Sequence, residues 1–225
     1  MEYDKYCILW EVRINKFFNK VDHDLNLEEY QKNKEIRKNE FKNKARRTLC
    51  LNCFRPKKAC FCHEVKSFET NTRFVILMHP KEARKEPLGT GRLAQLSLLN
   101  SEIIVGENFK DCIKVNSYLN DGKYKCMLLY PGESSHNISK SKLEFRGELV
   151  VFIIDGTWPC ARSMLRDSPN LHDLDKISFD NTKLSSFIIK QQPADYCLST
   201  IESLHILIDG LNLWGHESLE REHYG

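Results

Sequence analysis

The sequence predicts an α/β fold built on a mainly parallel sheet with flanking helices, and three observations carry that prediction. Residues 74–78 (Phe-Val-Ile-Leu-Met) and 149–154 (Leu-Val-Val-Phe-Ile-Ile) are apolar runs without polar alternation. Such runs are the mark of strands buried on both faces, the habit of parallel sheets covered by helices. Helical patterns separate the strand-like segments, so the two types alternate over residues 74–213, as in stacked βαβ units. Three strands also end in chemically loaded turns: His79-Pro80, Tyr130-Pro131-Gly132 and Asp155-Gly156-Thr157-Trp158. If the strands run the same way, these turns share one rim, where ligands of open α/β sheets bind.

The first element is a charged helical extension over residues 1–47. Leu9, Trp10, Val12, Ile14, Phe17 and Phe18 form an apolar cluster in its first half. Residues 31–47 hold eight Lys or Arg against Glu35 and Glu40, within a net charge of only +3 for the 225 residues. A local excess of that kind steers polyanions. No apolar run is long enough to cross a membrane, and the charged start has no signal-peptide pattern. The expected location is therefore the cytoplasm, a reducing compartment in which clustered cysteines point to metal rather than disulfides.

Residues 48–68 form the second element. Cys50, Cys53, Cys60 and Cys62 stand at C-x2-C-x6-C-x-C spacing within thirteen residues. A tight turn brings the first pair to one ion and the loop through Pro56 returns the second pair, giving a closed, structural four-thiolate zinc site. His63 is an alternative fourth ligand. Arg55, Lys57 and Lys58 make the knuckle basic, a candidate nucleic-acid contact. Cys7, Cys112, Cys126, Cys160 and Cys197 are scattered and read as small buried hydrophobes.

The third element, residues 69–225, is the α/β domain. Its first strand ends at His79-Pro80, and Lys81–Glu86 follow as a polar loop. Gly89-Thr90-Gly91-Arg92 lead into a helix with Leu93, Leu96 and Leu99 on one face. A strand at 102–106, a helix at 111–119 and a strand at 124–130 come next. The central strand at 149–154 stops at Asp155, where Gly156 permits a tight turn and close approach of a ligand. Pro159 sits in the first turn of the following helix, where its missing N–H costs little. Short strands are expected near 176–179 and 186–190. The last helix opens at Leu198-Ser199-Thr200-Ile201-Glu202, with Ser199 and Glu202 spaced as a capping box. Such a helix start also offers amides to a carboxylate or phosphate.

In chain order, the cysteine knuckle, His79-Pro80-Lys81-Glu82, Thr90-Gly91-Arg92-Leu93, Tyr130-Pro131-Gly132, Asp155-Gly156-Thr157-Trp158 and Leu198-Ser199-Thr200-Ile201-Glu202 resemble the motifs of DTW-domain proteins. The resemblance covers about residues 48–210. Gly89 stands where an Asn is common in that family, and Lys190 where an Arg is expected. The resemblance implies a tRNA-uridine aminocarboxypropyltransferase related to SPOUT-type RNA methyltransferases, with a C-terminal trefoil knot. Such enzymes place the 3-amino-3-carboxypropyl group of S-adenosylmethionine on N3 of a tRNA uridine and release methylthioadenosine.

On that implication each site residue takes an expected role. Asp155, partly buried at the rim, accepts the N3 proton, or else holds the cofactor or the turn. Trp158 stacks on adenine or uracil. Tyr130, Pro131, Gly132, Gly156, Thr157, Leu198, Ser199, Thr200 and Glu202 surround the cofactor. His79, Lys81, Arg92 and Lys190 face the substrate RNA, with Arg92 on an RNA phosphate or else on the amino-acid carboxylate. The expected partner is tRNA, with no membrane, and the expected state is a monomer. Rival readings are a SPOUT-like methyltransferase, a ribosomal-RNA substrate, and a zinc-knuckle RNA-binding protein without catalysis.

Overall fold

The computed structural model describes residues 32, 35, 48–60, 62–85, 89–132, 134–180 and 198–217. The chain separates into two units, Met1–Arg47 and Thr48–Gly225. In the first, Lys32 and Glu35 are helical. The apolar cluster of residues 9–18 and most of the basic stretch lie outside the described residues.

Six strands form one sheet in the second unit: β1 (Arg73–Met78), β2 (Ser101–Val105), β3 (Tyr124–Leu129), β4 (His136–Asn137), β5 (Glu148–Asp155) and β6 (Asp175–Ser178). Their spatial order is β2-β1-β5-β3-β6-β4, and every pairing is parallel. The two unbroken apolar runs occupy the middle. Phe74, Val75, Ile76, Leu77, Val150, Val151 and Phe152 are fully buried, as strands covered on both faces must be.

Alternate side chains feed two cores. On one face Phe74, Ile76, Met127, Leu149, Val151 and Ile153 pack with the helices α2 (Thr90–Ser97) and α5 (Thr200–Leu213). On the other, Val75, Leu77, Leu128, Val150 and Phe152 pack with α3 (Ile113–Asn120), α4 (Trp158–Arg166) and a 3-10 turn at Pro169–Leu171. The result is a three-layer α/β/α arrangement.

Three local expectations are corrected. The expected polar loop after β1 is instead the helix α1 (Pro80–Lys85), because Pro80 has a φ suited to a first helical position and His79 Nδ1 accepts the Lys81 backbone N–H at 3.1 Å. The helix α2 ends at Ser97, so Leu99 lies beyond it and is largely exposed instead of sharing a helical face with Leu93 and Leu96, and the buried residues of α2 are Gly91 and Ala94. Small residues let this helix lie close to the sheet, where a leucine face would hold it off. The scattered Cys112, Cys126 and Cys160 are only half-buried; burial pushes the Cys126 thiol up to about 11. Cys7 and Cys197 lie outside the described residues. The strand at 175–178 agrees with the sequence, while the one expected at 186–190 lies outside the described residues, as do residues 181–197 as a whole.

Candidate active site and metal centre

The thiols of Cys50, Cys53, Cys60 and Cys62 all lie within 4.8 Å of one another. The Cys50–Cys62 and Cys53–Cys60 sulfur pairs are 3.9 and 3.8 Å apart. Four thiolates at Zn–S distances of about 2.3 Å in a tetrahedron would stand about 3.8 Å apart, so the cluster is consistent with a zinc knuckle. The turn that builds it is local. Phe54 N–H reaches Cys50 O at 2.9 Å, Cys50 N–H reaches Arg55 O at 2.7 Å, and Phe54 takes a left-handed φ of 58°. Backbone N–H groups of Cys53 and Asn52 lower the Cys50 thiol to about 6, while burial and the neighbouring thiols push Cys62 up to about 12. His63 stands outside the cluster, with Nε2 3.1 Å from Glu64 Oε1.

Arg92, expected to face RNA, joins the knuckle to the α/β domain. Its guanidinium lies 4.3 Å from the centre of the Phe54 ring and donates to Ala83 O at 3.0 Å. Cation–π contacts of this kind contribute about 0.5–1 kcal/mol at exposed sites.

Because the sheet is parallel, the carboxyl ends of β1, β3 and β5 do form one rim. Met78 pairs with Asp155, and Leu129 with Ile153. The rim residues His79, Tyr130 and Asp155–Trp158 are thereby brought together. His79 is buried, and its backbone N–H donates to Asp155 O at 2.9 Å. With Nδ1 engaged by Lys81 N, its Nε2 faces Glu107 Oε1 at 3.6 Å. A Cβ on Gly156 would meet Cys160 Cβ at 3.3 Å and His79 Cβ at 3.4 Å, so the turn is tightly packed where the sequence has glycine. Thr157 caps α4 through its backbone without a side-chain hydrogen bond, and Pro159 lies in the first turn as expected. The Tyr130 and Trp158 rings meet edge to face, 6.4 Å between centres. Trp158 remains 43% exposed, and Pro131 and Gly132 are exposed beside them.

Asp155 is only 8% exposed. Its side chain falls on the α2/α5 face, where Thr200 Oγ1 donates to Oδ1 at 2.6 Å. Its Oδ2 lies 2.3 Å from the position a Cβ on Gly91 would take. Thr200 and Gly91 are both in the first turn of their helices, so two positive helix ends complement this one carboxylate. Ser199 and Glu202 form the capping box in full: the Ser199 N–H donates to Glu202 Oε2 at 2.8 Å and Glu202 N–H to Ser199 Oγ at 3.4 Å. Leu198 precedes the cap, half-buried. Lys81 is exposed on α1, and Lys190 lies outside the described residues.

Gly91 and Glu217 are the structural partners that sequence reasoning missed. The Gly-Thr-Gly pattern was visible, but no local pattern says which carboxylate needs the missing side chain. Glu217 is buried and accepts the backbone N–H groups of Asn71 at 2.6 Å and Thr72 at 2.9 Å. It ties the end of the described chain to the entrance of β1 from 145 residues away.

Three comparisons bear on this site. Curated relatives called tRNA-uridine aminocarboxypropyltransferase 2 occur in Drosophila melanogaster, 31% identical over 138 residues (59% of this chain, 53% of the relative), and in Macaca fascicularis, 27% identical over 134 residues (59% and 45%). The relative of that description from Mus musculus is 26% identical over 147 residues (64% and 49%). The chain thus matches about half the length of each. No solved structure matches. The model of the DTW domain matches residues 47–220, which is the whole knuckle and sheet; the chain belongs to the DTW-domain family.

Proposed function

We propose that this chain is a tRNA-uridine aminocarboxypropyltransferase that uses S-adenosylmethionine. The observation that carries the reading is the shared rim of β1, β3 and β5, where family-matching turns stand around one buried carboxylate. The names of the relatives supply the substrate class.

The residues of the rim fit the cofactor. Trp158 leaves part of its ring open for an adenine or a uracil to stack on, and a Cβ on Gly132 would meet nothing within 4 Å. The α4 start has no side-chain cap, so its amides suit a carboxylate. Tyr130, Pro131, Gly156, Thr157 and Leu198 complete the surround. When bound, S-adenosylmethionine supplies a γ-carbon made electrophilic by its sulfonium, with methylthioadenosine as the leaving group.

The protein's task is to choose the carbon and present the nucleophile. Selecting the γ-carbon over the methyl is a matter of orientation, which rigid turns at strand ends provide. The target uridine must be unstacked to enter, and the exposed Trp158 face is placed to receive it. Asp155 has two possible duties. Its Oδ1 holds Thr200 and its Oδ2 packs against Gly91, which favours a positioning role that fixes the α2 and α5 starts beneath the rim. As a base it would instead take the N3 proton directly. Asp155→Asn separates them: a base loses roughly two to four orders of magnitude in rate with cofactor affinity unchanged, whereas a positioning residue loses both together.

The four-cysteine cluster serves in this reading as a structural zinc site. It has no open coordination position and takes no part in the reaction. Loss of the aminocarboxypropyl nucleoside from the tRNA of a strain lacking the chain tests the activity; unchanged tRNA nucleosides would refute it.

A further inference from the structure

A groove of about 380 Å3 opens beside the rim, lined by Tyr130, Arg162, Leu165, Arg166, His172 and Lys176. None of these except Tyr130 belongs to the family-matching turns. The groove runs along α4 toward β6, so it begins at the Tyr130–Trp158 pair and leads away from it. Its cations are not equivalent. Arg166 donates through Nε to Asp167 Oδ1 at 2.9 Å and through Nη2 to Ser163 Oγ at 3.0 Å, and this guanidinium holds the Asp167 carboxyl below its usual range. His172 Nε2 is spent on Leu165 O at 2.6 Å. Arg162 and Lys176 have no carboxylate partner among the described residues, although Glu and Asp are plentiful elsewhere in the domain. Two unneutralised cations facing one groove repel each other, and an anionic ligand removes that cost.

We propose that this groove holds the RNA backbone next to the target uridine, with Arg162 and Lys176 on phosphodiester oxygens and Tyr130 against the neighbouring base. The inference rests on the tRNA reading above and adds where the strand runs. Guanidinium and ammonium groups beside an aromatic ring are the combination by which proteins follow single-stranded nucleic acid. An unpaired uridine stacked on Trp158 has its next phosphate within a nucleotide's reach of the Tyr130 end of the groove. An acidic peptide would use the cations and leave the aromatic entrance unused.

The test is tRNA binding across a salt series with the 225-residue chain. Arg162→Ala combined with Lys176→Ala should lower the slope of log affinity against log salt by roughly 1.5, at about 0.7–0.9 per lost phosphate contact, and weaken binding by roughly an order of magnitude. Arg162→Gln alone, on the exposed side of α4, should give about half the slope change and removes any doubt from a poorly folded double variant. Lys123→Ala, at the opposite end of β3, removes one charge as Arg162→Gln does, is its charge-matched control, and should leave the slope nearly intact. An unchanged slope in the Arg162 and Lys176 variants, or an equal change in Lys123→Ala, overturns the groove while leaving the tRNA reading standing; a wild type that binds no tRNA overturns that reading itself. Uridine monophosphate binding as tightly as a short uridine oligonucleotide would also overturn it, since the groove would then take a terminal phosphate instead of a strand.

Discussion

The Thr200 hydroxyl donates to Asp155 Oδ1 at 2.6 Å across 45 residues of sequence, joining the central strand of the sheet to the start of its last helix. Leaving a buried acceptor without its donor costs about 1–3 kcal/mol. Thr200→Val should therefore lower unfolding free energy by about that amount, while Thr200→Ser, which keeps the donor, should cost much less. Urea melts of the two variants check this. Equal losses would mean that the methyl group, and not the hydroxyl, is what the site uses.

Gly91 is required on the other side of the same carboxylate. A Cβ there would stand 2.3 Å from Asp155 Oδ2 and 3.1 Å from the Met78 methyl. The methionine methyl can give the few tenths of an ångström it needs, but the carboxylate oxygen must move away from the contact, and its partner Oδ1 is held by Thr200. Gly91→Ala should lose about 1–3 kcal/mol of stability and displace Asp155, despite the higher helix propensity of alanine. A variant as stable and as active as the parent would show that α2 shifts freely, and the pinning of Asp155 would have to be abandoned.

Much of this arrangement was legible beforehand, and the reason is local chemistry. The runs 74–78 and 149–154 announce doubly covered strands because no residue in them tolerates water. The Ser199–Glu202 box and the four cysteines are short-range patterns whose geometry follows from spacing alone. What escaped was set by distance in sequence. Nothing near Lys81 reveals that His79 Nδ1 will cap its amide, so α1 reads as a loop. Nothing near Arg92 shows that Phe54 waits beneath it. The two-residue strand β4 exists only because β6 lies beside it, and no periodicity fits in two residues.

The knuckle makes a metal prediction. Purified chain should contain about one zinc per molecule, and strong chelators should lower its melting temperature, because structural zinc binding is itself folding free energy. Cys53→Ser, which removes the buried ligand, should abolish stoichiometric metal. Metal-free protein that melts at the same temperature would remove zinc from the account.

Glu217 gives a test far from the rim. Its carboxylate satisfies two backbone donors, Asn71 and Thr72, and is itself buried. Glu217→Ala leaves those amides to find other partners, at a cost of about 2 kcal/mol. Hydrogen exchange should quicken at Asn71 and Thr72 before it does in the centre of β1. Unaltered exchange at both amides would show that the clamp contributes nothing.

The central claim is a choice of carbon, and the reaction products read it directly. The 225-residue chain, S-adenosylmethionine and unmodified tRNA should yield uridine bearing an aminocarboxypropyl group at N3, with methylthioadenosine released in equal amount, both measured by mass spectrometry. Release of S-adenosylhomocysteine with a methylated nucleoside, or no change in the tRNA under conditions where the chain binds it, would contradict the account.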